Sequence, residues 1–130
     1  MYIRAVAAMP DGQRFLSGGE ADHDGGNDFV RVWLRNGTLE KALPLHTHWV
    51  EAIVAMPDNQ HALSGSYAKT LKLFNVNDGS VLRTFTPHTH ISSVVSLALL
   101  PDGLRFVSGS NDGTTRIVEH GLAPQVGSPN

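Results

Sequence analysis

The segment from Met56 to Gly79, MPDNQHALSGSYAKTLKLFNVNDG, constrains this chain more than any other, because it is written three times with small changes. MPDGQRFLSG opens at Met9, MPDNQHALSG at Met56 and LPDGLRFVSG at Leu100, so Pro10, Pro57 and Pro101 fall 47 and 44 residues apart. Around each copy lie short runs rich in β-branched and aromatic residues, punctuated by Pro-Asp, Asn-Gly and Asp-Gly turns. That pattern belongs to strands and hairpins rather than helices. A unit of this size cannot bury its own apolar face and must stack on its neighbours.

In chain order, Ile3 to Met9 reads as a strand, Pro10-Asp11-Gly12 as a tight turn and QRFLSG as a second strand. EADHDGGND, Glu20 to Asp28, is a polar loop with adjacent glycines, and FVRVW resumes as a third strand before the Asn36-Gly37 hairpin and TLEKALPL. The second copy runs WVEAIVAM, QHALSG, TLKLFNV, Asn77-Asp78-Gly79 and SVLRTF. The third runs ISSVVSLALL, Pro101-Asp102-Gly103, LRFVSG, Asn111-Asp112-Gly113 and TTRIVE. The continuous apolar run from Ile91 to Leu100 is read as a strand buried on both faces rather than a helix. After Glu119 the pattern stops. HGLAPQVGSPN resists a ladder strand, so the last unit is expected to lack its fourth strand and residues 121–130 to form a flexible tail.

At these residues the chain resembles the WD-repeat family of β-propellers, whose repeat carries a Gly-His, a Pro-Asp-Gly, a Ser-Gly-Ser, an Asp and a closing Trp-Asp. The Pro-Asp turn is present three times, as is the Ser-Gly pair at Ser17-Gly18, Ser64-Gly65 and Ser108-Gly109. The resemblance covers about Ile3 to Glu119. It implies an all-β, partial propeller of about three four-stranded antiparallel blades, over about 3–45, 46–88 and 89–120, with the last blade incomplete.

Members of the family tie each blade with hydrogen-bonded His, Ser, Asp and Trp. The matching positions here are Ser17, Asn27 and Trp33 in the first unit, His46 and Ser64 in the second, and His90, Ser108 and Asp112 in the third. Ala68 stands at the Asp position of the second unit, and Phe74 and Val118 at the Trp positions of the second and third. No unit has all four members. Two residues before the Trp position each unit is basic, at Arg31, Lys72 and Arg116, which is expected of long stems covering apolar surface.

Chemistry is sparse. The triplets His46 to His48 and His88 to His90 lie one repeat apart, and with His46 and His90 assigned to the blade-tying set, His48, His88 and His23 remain as metal- or pH-responsive candidates. Three or four convergent ligands are the ordinary requirement, so loop histidines without a metal are the plainer reading, and no cofactor is expected. Asp22, Asp24, Asn27 and Asp28 superficially match a calcium loop but lack its bidentate Glu and have the glycine one place early. No Ser-Gly pair sits in a nucleophile elbow, there is no phosphate-binding glycine loop, and an enzyme is not expected.

At 130 residues and 41% hydrophobic content the chain has the make-up of one soluble domain, and a net charge of −2 gives no general attraction to nucleic acid or to an anionic membrane. It contains no cysteine, which removes disulfides and thiolate chemistry. AVAAM is too short for a signal peptide or a membrane span, so cytoplasm or nucleus is the expected address. The function implied by the resemblance is a scaffold that binds other proteins through exposed loops. Trp49, Tyr67, His48, His88, His23 and Asp24 are the contact candidates, with burial between blades the competing reading for Trp49. Three blades do not close a ring, so the expectations are a fragment of a larger propeller or, as the alternative, a homodimer completing one.

Overall fold

The computed structural model of the chain describes residues 3–20, 28–67, 70–85 and 93–122. Eleven strands among them form three antiparallel sheets, each a meander in sequence order. The first contains β1 (Ile3–Ala8), β2 (Arg14–Gly19), β3 (Asp28–Leu34) and β4 (Leu39–His46), and the second β5 (Val50–Ala55), β6 (His61–Ser66), β7 (Leu71–Asn75) and β8 (Val81–Phe85). The third contains β9 (Val94–Leu99), β10 (Arg105–Ser110) and β11 (Thr115–Glu119). The leading strands β1, β5 and β9 lie side by side across the sheet boundaries, as radial sheets about one axis require. The architecture is a partial β-propeller whose third blade has three strands among the described residues.

The three Pro-Asp turns explain why the repeat is spelled as it is. Each aspartate accepts a hydrogen bond from the backbone N–H two residues on: Gln13 to Asp11, Gln60 to Asp58 and Leu104 to Asp102, all at 2.9 Å. This is the Asx-turn geometry that a short carboxylate offers. These bonds hold the Asp11 and Asp102 carboxyls below the usual carboxylate range. At Asp58 burial acts in the opposite direction, and the hydrogen bond from His61 at 2.6 Å, with two backbone donors, outweighs it. The following residue takes a left-handed backbone, with φ of 72° at Gly12 and Gly103 and 61° at Asn59. Asparagine is the residue after glycine that tolerates this region best.

Alternation along the strands puts the apolar residues between sheets rather than in one central core. Leu16, Val30, Val32, Leu43 and Leu45 of the first sheet pack on Val50, Ile53, Ala62, Phe74 and Val76 of the second. Met56, Leu63, Leu71, Leu73 and Phe85 of the second pack on Val94 and Phe106 of the third. Phe85 and Phe106 meet edge to face, with centroids 5.3 Å apart.

The boundaries differ from the sequence expectation in three places. His46 is the last residue of β4 and pairs with Asp28, so it belongs to the first sheet and not to the start of the second unit. The Ile91 to Leu100 run does contain a strand, β9, but Val95, Ser96 and Ala98 are exposed and the strand is not buried on both faces. The reason is that only one of its faces meets another sheet. Finally, the fold does not stop at Glu119. The His120 side chain is fully buried, and its Nδ1 accepts from Leu122 N–H at 3.0 Å, which leaves Nε2 to donate to the Gly103 carbonyl at 3.0 Å. Leu122 packs against the second apolar cluster.

Candidate functional site

In an antiparallel meander the turns β1–β2 and β3–β4 share one end of a sheet, and the connections β2–β3 and β4–β5 share the other. Three ring side chains, His48, Trp49 and Tyr67, gather at this second end of the middle sheet. Trp49, just before β5, and Tyr67, just after β6, are held together by a Tyr67 N–H to Trp49 carbonyl bond of 2.8 Å. Their rings lie 5.2 Å apart and tilted by 51°, while His48 lies 4.7 Å from Tyr67 and 5.8 Å from Trp49. Tyr67 is 43% exposed, His48 is exposed and Trp49 is partly buried. Trp49 is therefore neither a core residue between blades nor a free surface group.

What half-covers Trp49 is Arg4, from β1 of the neighbouring sheet. Its guanidinium carbon stands 4.7 Å from the indole centroid, a cation–π contact. Arg4 is fixed in turn by Glu20, with Nε at 2.9 Å and Nη2 at 2.8 Å from one carboxylate oxygen, and Glu51 lies 3.7 Å away. Sequence reading missed Arg4, Glu20 and Glu51. The signal was present in the repeat: Arg4 and Glu51 each stand six residues before their unit's proline, so opposite charges occupy equivalent positions of adjacent sheets.

The same counting shows what is particular about the middle blade. Ten residues after the proline come Glu20, Tyr67 and Asn111, and the third-blade equivalents of Trp49 and Tyr67 are Ser93 and Asn111. That pair keeps the backbone contact, with Asn111 N–H to Ser93 O at 3.3 Å and Ser93 N–H to Asn111 Oδ1 at 3.0 Å, and has no rings. The repeat needs the hydrogen bonds; it does not need the aromatics.

Of the blade-tying candidates, His46 Nε2 and Ser64 Oγ are 2.7 Å apart and both buried, and Trp33 Nε1–H donates to Ser17 Oγ at 2.8 Å. Burial, and after it the nearby Lys72 ammonium, push the His46 imidazole down to about 4. Lys72 donates to the Leu45 carbonyl of the first sheet at 2.5 Å, and the Arg31 guanidinium lies 5.7 Å from the Phe29 ring. Ser108 is buried, and exposed Asp112 accepts from the Thr114 N–H at 2.8 Å, shaping the turn before β11. His90, His23, His88, Asp24 and Asn27 lie outside the described residues, as does Ala68. Among the described residues no group of three or more His, Cys, Asp or Glu is placed to hold a metal ion.

A family model for the WD domain, G-beta repeat, matches residues 37–75 and 79–119, well over half of the chain. The chain belongs to the WD40 family. The matched segments run from β4 to β7 and from β8 to β11, so each WD40 sequence repeat begins on the last strand of one sheet and continues with the first three of the next. This offset is why His46, at the end of β4, supplies its side chain to the following blade. No curated protein matches the chain.

Proposed function

We propose that the chain is a WD40 scaffold whose middle blade binds a partner protein through the rim formed by His48, Trp49 and Tyr67. WD40 repeats generally mediate protein–protein contacts, and WD40 proteins are generally non-enzymatic scaffolds. The observation that carries the reading is the replacement of Trp49 and Tyr67 by Ser93 and Asn111 in the third blade, where the backbone geometry is kept without aromatic rings. Interface energy concentrates in Tyr, Trp and Arg side chains held rigidly at a surface, and Arg4 and Glu20 hold Trp49 in that way. An apolar or aromatic side chain of the partner would lie against the Trp49 and Tyr67 rings.

The test is affinity capture from cell extract with the chain and two variants, Tyr67→Ala and Thr47→Ala. A partner retained by the parent and Thr47→Ala but lost by Tyr67→Ala supports the rim. A set of partners indifferent to Tyr67 refutes it. Tyr67 is exposed enough that its removal leaves the fold intact, which circular dichroism checks.

A further inference from the structure

At each junction inside the chain one glycine receives one β-branched side chain. A Cβ built on Gly18 would lie 2.6 Å from Val50 Cγ1 and 3.3 Å from Ile53 Cδ1, and a Cβ on Gly65 would lie 2.7 Å from Val94 Cγ1. Val50 and Val94 are the first residues of β5 and β9, and both glycines are buried. The glycine of the Ser-Gly pair is thus a hollow, and the leading residue of the next sheet fills it. The third such glycine, Gly109, is only partly buried, and what lies over it is Ser96 Oγ, from the adjacent strand of its own sheet.

The opposite end of the chain carries the matching pieces. Seven residues before each proline stand Ile3, Val50 and Val94, and four before stand Val6, Ile53 and Leu97. Val50, Ile53 and Val94 are buried and Leu97 packs against the cluster that holds Val94, whereas Ile3 is 53% and Val6 66% exposed. Around Gly109, Val107 and Ile117 occupy the positions of Leu63 and Leu73, which are fully buried in the second sheet; Ile117 is 63% exposed. One end presents the third glycine, covered only by the Oγ of exposed Ser96 and flanked by Val107 and Ile117, and the other an unseated β-branched pair.

We propose that a second copy of this chain docks here, Ile3 and Val6 of each copy seating against Gly109, Val107 and Ile117 of the other, so that two chains form a ring of six sheets. The junction uses the same repeat positions as the two that already exist within the chain, with the Ser96 hydroxyl turning aside where those have Ala5 and Ala52. The contact is heterologous, and making it twice across a two-fold axis closes the ring and hides both open faces. Six blades fall within the range at which propellers close. None of the junction residues is one of the rim residues His48, Trp49 and Tyr67, so the two proposals are tested by different variants.

Sedimentation of the purified chain over a range of concentrations is expected to show a species of twice the 14.0 kDa chain mass, lost in Ile3→Asp/Val6→Asp and in Gly109→Val. Both variants alter positions not fully covered in a single chain, so each keeps its β-sheet circular dichroism. A cross-link supplies a measurement independent of that. The chain has no cysteine, and the double variant Ile3→Cys/Gly109→Cys is expected to give a covalent dimer under oxidising conditions, which Ile3→Cys/Thr47→Cys does not. In the internal junctions a Cβ built on the glycine overlaps the valine Cβ, at 2.8 Å and 3.1 Å, so a small outward shift brings such a pair to the roughly 3.8 Å that a disulfide spans. A monomer at every concentration without cross-linking, a ladder of ever larger species, or association indifferent to both variants would each overturn the proposal.

Discussion

His46 and Ser64 stand on different sheets, yet their side chains meet at 2.7 Å in a buried contact. The imidazole leaves the end of β4 and reaches β6, so the last strand of the first blade is tied to the second strand of the next. Its other nitrogen, Nδ1, is buried without a hydrogen-bond partner among the described residues. One side of the ring is therefore satisfied and the other is not, and a charged ring is strongly disfavoured.

That asymmetry predicts acid sensitivity. An unfolded histidine titrates near 6.5 and folded His46 near 4, so between these values the unfolded chain takes up a proton that the folded chain refuses. Stability is full above the unfolded value and falls as the pH drops towards the folded one, by on the order of 3 kcal/mol for the whole interval. Urea unfolding from about pH 7 to about pH 4.5 stays above the range where the turn aspartates protonate. The midpoint is expected to decline across it, and more steeply in the parent than in His46→Gln. Equal slopes would show that His46 is not the responsible group.

Trp33 and Ser17 carry a contact of the same kind within the first blade. Phe15 stacks on Trp33 at 6.0 Å with the rings 7° from parallel, which fixes the indole so that its N–H points at Ser17. Ser17→Ala leaves that N–H unpaired in a partly buried site and is expected to cost about 1 kcal/mol. Ser17→Thr, which keeps a hydroxyl, should recover part of the loss in the same denaturant titration.

The repeat made most of the architecture legible, because each sheet is spelled by the same turn, the same Ser-Gly pair and the same alternation. The contacts between sheets were harder to read. His46 was recognised as blade-tying but assigned to the second unit, since spacing alone does not reveal that a side chain crosses a boundary that its backbone does not. β9 was expected to be covered on both faces, since an apolar run does not tell whether a further sheet follows. His120 was passed over because it follows the last turn signal, and its burial depends on the Gly103 carbonyl and Leu122. Trp49 and Tyr67 stand out in the sequence by residue type alone, and what the structure adds is that their rings meet. Arg4 and Glu20, which hold the cluster, required the charges of adjacent repeats to be compared.

Asn59 tests the turn chemistry. It holds φ at 61° where the other two copies have glycine, and it also joins the turns of neighbouring sheets, donating from Nδ2 to Asp11 Oδ2 at 2.8 Å and accepting from Asp11 N–H at 3.2 Å. Asn59→Ala brings a left-handed alanine and removes the clip, with an expected loss of about 1–2 kcal/mol from the backbone alone. Asn59→Gly removes the clip but not the favourable backbone, and should be the milder of the two in thermal unfolding. The reverse order would show that the link to Asp11 outweighs the turn.

The glycine hollows give the sharpest contrast within one molecule. At Gly65 an added methyl would meet Val94 Cγ1 at 2.7 Å and Val94 Cβ at 3.1 Å, and the Val94 carbonyl lies 3.5 Å away. Val94 is itself fully buried, and a β-branched side chain so enclosed has little freedom to turn aside, so the sheets must move apart. Gly65→Ala is expected to cost about 1–3 kcal/mol, as overpacking in a close-packed interior does. At Gly109 the same methyl meets Ser96 Oγ, on a short, exposed side chain that can rotate away. Gly109→Ala should therefore leave the stability of dilute, unassociated chain nearly unchanged. If both substitutions destabilise that species equally, the glycines are conserving backbone freedom within their strands rather than making room for the next blade.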